Sequence, residues 1–256
     1  MTRVLHLAAS LLAGAGTATL FLLLTYLTLH WWLGVMILLW IILVTILVRF
    51  LNQAASYQTR TTELVAVTMV SGFGLFSVVE EPGARWALLL LVSGLVALLG
   101  VLSVPEMDGA LEYKRVRRLL MIVWTWNVFA LTATAYAVAL FFPEVPWWLS
   151  NLGGGVIAGG IAWAVWRMYF DASLAVQGLW GAIFALAWAE IMWVMQALPL
   201  GFFVSGWLTA WIWYVAQLLV RWHFSPSGIV WRQQSWFLLW NAIALITGLL
   251  WFVRWV

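Results

Sequence analysis

A chain of 256 residues that is 66% hydrophobic and 8% charged is not a soluble globular protein. Soluble domains carry about 25% charged residues, and a compact body of this size needs a wet exterior. The net charge of +3 gives no nucleic-acid surface, because the basic residues sit at the ends of apolar runs, where lipid phosphate is their expected contact. The lack of cysteine excludes disulfides, thiolate metal sites and cysteine nucleophiles.

Runs of about 20 apolar residues are long enough to cross the hydrocarbon core as helices, and nine are expected. The first covers residues 4–29, too long for the apolar core of a signal peptide. His30, Trp31 and Trp32 turn the chain into the second, 33–51. A polar link follows. Glu63 opens the third, where a carboxylate suits the positive end of the helix dipole, and Glu80-Glu81-Pro82-Gly83 ends it. The fourth is expected over 85–104.

Residues 105–118, PEMDGALEYKRVRR, gather seven of the charged residues. Asp108 reads as an N-cap, and Glu112 is placed to pair with Arg115. The fifth helix starts here in water and enters the apolar region near Leu119. It leaves near Phe142, and Pro143 and Pro146 mark a turn. The sixth runs over 147–166, the seventh over 174–198, the eighth over 202–220. A link over 221–235 leads to the ninth, 236–255. All six prolines fall in the expected links. Only Trp31, Trp32, Trp40 and Trp86 of the 22 tryptophans precede Arg118. The chain therefore divides into residues 1–104 with four helices, a charged link over 105–118, and residues 119–256 with five Trp-rich helices, read as one integrated membrane domain.

Charge alternates along this pattern. With the N-terminus inside, inner segments hold Arg3, Arg49, Arg60, Lys114, Arg115, Arg117, Arg118, Arg167, Arg221 and Arg232, and outer ones hold Arg85 and Arg254. This is the asymmetry of the positive-inside rule, with Lys114, Arg115, Arg117 and Arg118 as the main orienting group. Trp31-Trp32, Trp86, Trp147-Trp148 and Phe202-Phe203 form an expected outer aromatic belt. The expected location is a bacterial-type cytoplasmic membrane, with the C-terminus outside.

Glu190 is the acidic residue deep in an expected span. An ionised carboxylate at a span centre costs something like 2.5–3.5 kcal/mol on insertion scales. No Lys or Arg lies at matching depth. Tyr136, Thr209 or a Trp indole is expected to hydrogen-bond it. Asn127, Asn241, Gln177, Gln196 and Gln217 also lie in spans, where amides tie helices together. Convergence of several of them on Glu190 would mark an internal cavity. Asn151, Gly155 and Gly159 recur every four residues, as do Gly181, Ala185 and Ala189, giving small-residue faces for close helix approach. Glu80-Glu81 and Arg85 spell the EExxxR string of the CAAX-protease family. That string needs a continuous helix, which Pro82-Gly83 breaks, and histidines at a spacing that His223 lacks, so it assigns no family. His6, His30 and His223 sit at helix ends. No catalytic set, metal-ligand spacing or cofactor motif is present.

The fold class is an all-α polytopic membrane bundle. Two functions compete. One is a structural or accessory membrane subunit that binds lipid, a membrane-protein partner or a second copy. The other is a small transporter or permease with Glu190 as a proton- or ligand-binding group. An intramembrane enzyme is the least supported class.

Overall fold

The computed structural model describes residues 2–26, 31–52, 61–102, 110–169, 173–225 and 228–252. These residues form nine α-helices and no strands: α1 Thr2–Tyr26, α2 Trp31–Asn52, α3 Thr61–Val78, α4 Pro82–Leu102, α5 Ala110–Phe141, α6 Trp147–Trp166, α7 Leu174–Gln196, α8 Phe202–His223 and α9 Trp231–Phe252. All nine are long and apolar enough to cross a membrane. Their exposed surface is rich in Leu, Ile, Val and Trp, which is compatible with a multi-pass membrane protein. Asp108, Arg60, His30, Asp171 and Arg254 lie outside the described residues, as do the side chains of Arg3, Glu112 and Lys114.

Three helix boundaries within the described residues differ from expectation by three residues or more, for identifiable reasons, and Trp31 and Trp32, expected in a turn, instead begin α2. Helix α4 begins at Pro82 rather than Arg85. The Glu81 carboxylate accepts from the backbone N–H of Gly83 at 2.9 Å and from that of Ala84, and proline suits the first helical position because it has no N–H to satisfy. Helix α8 runs on to His223 and α9 begins at Trp231, so the expected link over 221–235 shrinks. Its turn is closed by Gly228, whose φ of 61° favours glycine. The Gly228 N–H donates to the Ser225 carbonyl at 2.9 Å.

The chain divides into two compact units, Met1–Asn127 and Val128–Val256, with the division inside α5. In the first unit α1 packs on α4, α4 on α3 and α3 on α2. Small residues set the close approaches. A Cβ on Gly14 would lie 2.9 Å from both the Ala97 Cβ and the Ser93 carbonyl oxygen. Gly16 lies under the ring of Trp40, whose indole N–H donates to the Thr17 hydroxyl at 3.1 Å. Phe21 stacks on Phe73 at 4.4 Å and meets Phe76 edge-on at 4.6 Å.

In the second unit the tightest pair is α6 with α7. A Cβ on Gly155 would come 2.5 Å from the Ala185 carbonyl oxygen and 2.9 Å from the Ala189 Cβ. One on Gly159 would come 2.7 Å from the Ala185 Cβ and 2.8 Å from the Gly181 carbonyl oxygen. Gly155 and Gly159 thus share a seam with Gly181, Ala185 and Ala189, and Asn151, one turn before Gly155, is buried. Small residues let the two backbones approach closely, and van der Waals contact along such a seam holds the pair together. Beside the seam, the rings of Phe184 and Trp188 stack at 5.2 Å, and Trp166 and Trp213 meet Phe184 edge-on. The Trp213 indole donates to the Ala158 carbonyl at 3.1 Å.

Candidate functional site

The polar residues within the apolar helices are distributed over separate places. In the first unit Asn127, fully buried, accepts from the Ser71 hydroxyl at 2.8 Å and donates to the Thr68 hydroxyl at 3.0 Å. The Thr68 hydroxyl in turn donates to the Leu64 carbonyl at 2.7 Å. The result is a closed lock between α3 and α5.

In the second unit the hydroxyls of Tyr136 and Thr209 are 2.9 Å apart, and Tyr136 also reaches the Met192 carbonyl at 3.4 Å. This buried group ties α5 to α8 and α7. Asn241 accepts from the Trp211 indole at 3.0 Å and donates to the Phe237 carbonyl at 2.8 Å. Gln177 and Gln217 are buried.

Glu190 joins none of these groups. It lies on the exposed side of α7, and no hydrogen bond or ion pair links it to another described residue. The expected bond from Tyr136, Thr209 or an indole to Glu190 is replaced by the Tyr136–Thr209 pair. Helix geometry gives the reason. Each residue turns the chain by about 100°, so Glu190 stands about 200° from both Trp188 and Met192, the buried residues two positions to either side. A residue between two inward-facing neighbours at that spacing faces outward.

Its surroundings on α7 are apolar. Leu186 and Trp193 are exposed by 63% and 57%, and Ile183 and Val194 are exposed as well. Gly178, Ala182, Leu186 and Glu190 recur at four-residue spacing along one exposed ridge. Glu190 lies about 9 Å along the axis from Gln196 at 1.5 Å per residue, inside the apolar length of the span.

At the other end of the second unit, the Arg221 guanidinium sits 3.7 Å from the centroid of Tyr169, and Arg167 lies over Trp163 at 5.1 Å. These cations sit at the ends of α8 and α6. In the first unit Arg115 and Arg118 are exposed near the start of α5, and Arg117 is half-buried. His6 is half-buried in α1, and His223 contacts Trp180. Among the described residues no three His, Cys, Asp or Glu side chains converge on a possible metal position.

Sequence reasoning missed Thr68, Ser71, Thr17 and Trp213 as bonding partners. Their signal was a hydroxyl or indole inside an apolar run, which shows that a partner is needed without showing which helix supplies it. No protein family, curated protein or solved structure matches the chain.

Proposed function

We propose that the chain is a structural or accessory subunit of a membrane assembly, and that it engages its partner within the bilayer through the exposed α7 ridge bearing Glu190. The observation that supports this reading is the placement of Glu190: a carboxyl inside an apolar span, on an outward face, with no partner among the described residues. Polar side chains at such depth are expensive against lipid and are found facing other protein or water. The Tyr136, Asn127 and Asn241 groups, each closed within its own helices, act as interhelical ties rather than as a transport path.

A hydrophobic carbodiimide, which reacts with protonated carboxyls exposed to lipid, tests this reading. In membranes holding the chain at its natural abundance, Glu190 should be protected. In purified protein diluted in detergent it should be modified, as followed by mass spectrometry of the α7 peptide. Equal modification in both settings would mean that nothing covers the ridge. Glu190→Gln, which keeps the shape and hydrogen-bonding capacity of the side chain, should retain the protein's assembly.

A further inference from the structure

We propose that the end of the second unit where α6 and α8 finish binds the phosphate of an anionic phospholipid, with Arg221 and Arg167 as its cations. Arg221 is half-buried in the last turn of α8. Its guanidinium lies 3.7 Å from the centroid of Tyr169, in the turn that follows α6, where the Tyr169 N–H donates to the Trp166 carbonyl at 2.9 Å. A ring at the end of one helix thus holds the cation of another. Arg167, two residues before Tyr169, is the exposed C-cap of α6. Its guanidinium folds back to 5.1 Å from the centroid of Trp163. A guanidinium laid on a ring has one face covered and bonds through its edge, and its five N–H donors form a fork that matches phosphate oxygens. Tyr169 brings two such forks to one end of the unit.

Charge at this end is one-sided. Residues 167–173 and 221–232 carry Arg167, Arg221 and Arg232 against a single carboxylate, Asp171, which lies outside the described residues. The helix dipoles leave that surplus standing: α6 and α8 end here while α7 and α9 begin here, so their partial charges oppose one another. With the apolar helices taken as spans, a lipid meets this arrangement better than a solute does. Arg167 turns back over Trp163, within the apolar stretch Trp147–Trp166, rather than outward past the helix end. That is the level at which a lipid phosphate meets the hydrocarbon. At the start of α7, Leu174, Val176 and Leu179 are exposed and give an acyl chain an apolar surface to cover. Basic pockets between spanning helices take anionic headgroups in this way. A zwitterionic headgroup would bring its own cation beside the arginines, so the site discriminates against it.

The full chain, purified in detergent, is titrated with phosphatidylglycerol and with phosphatidylcholine, and bound lipid is counted by native mass spectrometry. Phosphatidylglycerol should bind more tightly. Arg167→Gln and Arg221→Gln should each weaken its binding about fivefold and leave phosphatidylcholine unaffected. Arg115→Gln combined with Arg118→Gln removes two charges from the first unit and should leave the preference intact. Arg167 is exposed, so Arg167→Gln keeps the packing in place and gives the answer even where Arg221→Gln loosens the fold. Equal binding of the two lipids, or an unchanged preference in Arg167→Gln, would overturn the proposal. An equal loss in the Arg115 and Arg118 variant would overturn it too, because any surface charge would then serve. Displacement of the lipid by millimolar inorganic phosphate would assign the site to a soluble phosphate instead and refute the lipid.

Discussion

Tyr136 and Thr209 meet hydroxyl to hydroxyl at 2.9 Å between α5 and α8, with both side chains buried. Interhelical hydrogen bonds in membrane proteins average about 0.6 kcal/mol and reach about 1.7 kcal/mol. Tyr136→Phe should therefore destabilise the protein by roughly 0.5–2 kcal/mol, and Thr209→Val by a similar amount. Thermal unfolding of the two single variants and the double variant in detergent should show that the losses are not additive. Additive losses would mean that the hydroxyls do not interact.

The Asn127 lock should be the more sensitive polar tie, because one side chain serves both Ser71 and Thr68. Asn127→Leu removes both bonds, but the two hydroxyls keep acceptors on their own helix in the Leu64 and Thr68 carbonyls. The expected loss is about 1–3 kcal/mol, read as a lower detergent melting temperature. Asn127→Leu combined with Ser71→Ala should cost little beyond Asn127→Leu alone.

Glycines in the α6–α7 seam should differ sharply from those on the open side of α6. Gly155→Ala pushes a methyl group toward the Ala185 backbone, whereas Gly160→Ala meets nothing within 4 Å. Overpacking of this kind costs about 1–3 kcal/mol. Gly160→Ala should be neutral or slightly stabilising, because alanine is the better helix former by about 1 kcal/mol. Equal melting temperatures for the two variants would refute the close approach at Gly155.

Orientation can be tested at the charged start of α5. With an inside N-terminus, reporter fusions at Arg118 and Val256 should report opposite sides of the membrane. Replacing Lys114, Arg115, Arg117 and Arg118 together with Glu should lower insertion or invert the local topology. Normal insertion of that quadruple variant would show that other segments orient the chain.

The nine helices were legible in the sequence because each is an apolar run of spanning length bounded by polar, Pro or Gly residues. Their ends were less so. Arg232, Gln233 and Gln234 look like a link by polarity but are good helix formers, and they lie in the first turn of α9. The identity of Glu190 as the odd residue of α7 was plain, but the direction it faces was not. Helix α7 is apolar on all sides, so no polar stripe separates inside from outside. Once Trp188 and Met192 are known to face inward, the helical period fixes the rest. The partner of Asn127 was hidden for another reason: an amide in a span implies a bond without naming the helix that provides it.

The ring cluster of Trp166, Phe184, Trp188 and Trp213 makes the second unit its own optical reporter. Trp166, Trp188 and Trp213 are nearly or fully inaccessible, held at fixed angles around Phe184. Immobilised aromatic chromophores give near-ultraviolet circular dichroism, which vanishes when side-chain packing loosens even if the helices persist. Among the described side chains of the first unit, Trp124 is the fully buried indole. The near-ultraviolet spectrum will therefore be weighted toward residues 128–256, and the far-ultraviolet helix signal will follow both units. Recorded together during unfolding, the two bands separate loss of packing around α6, α7 and α8 from loss of helix in the whole chain, without an added label.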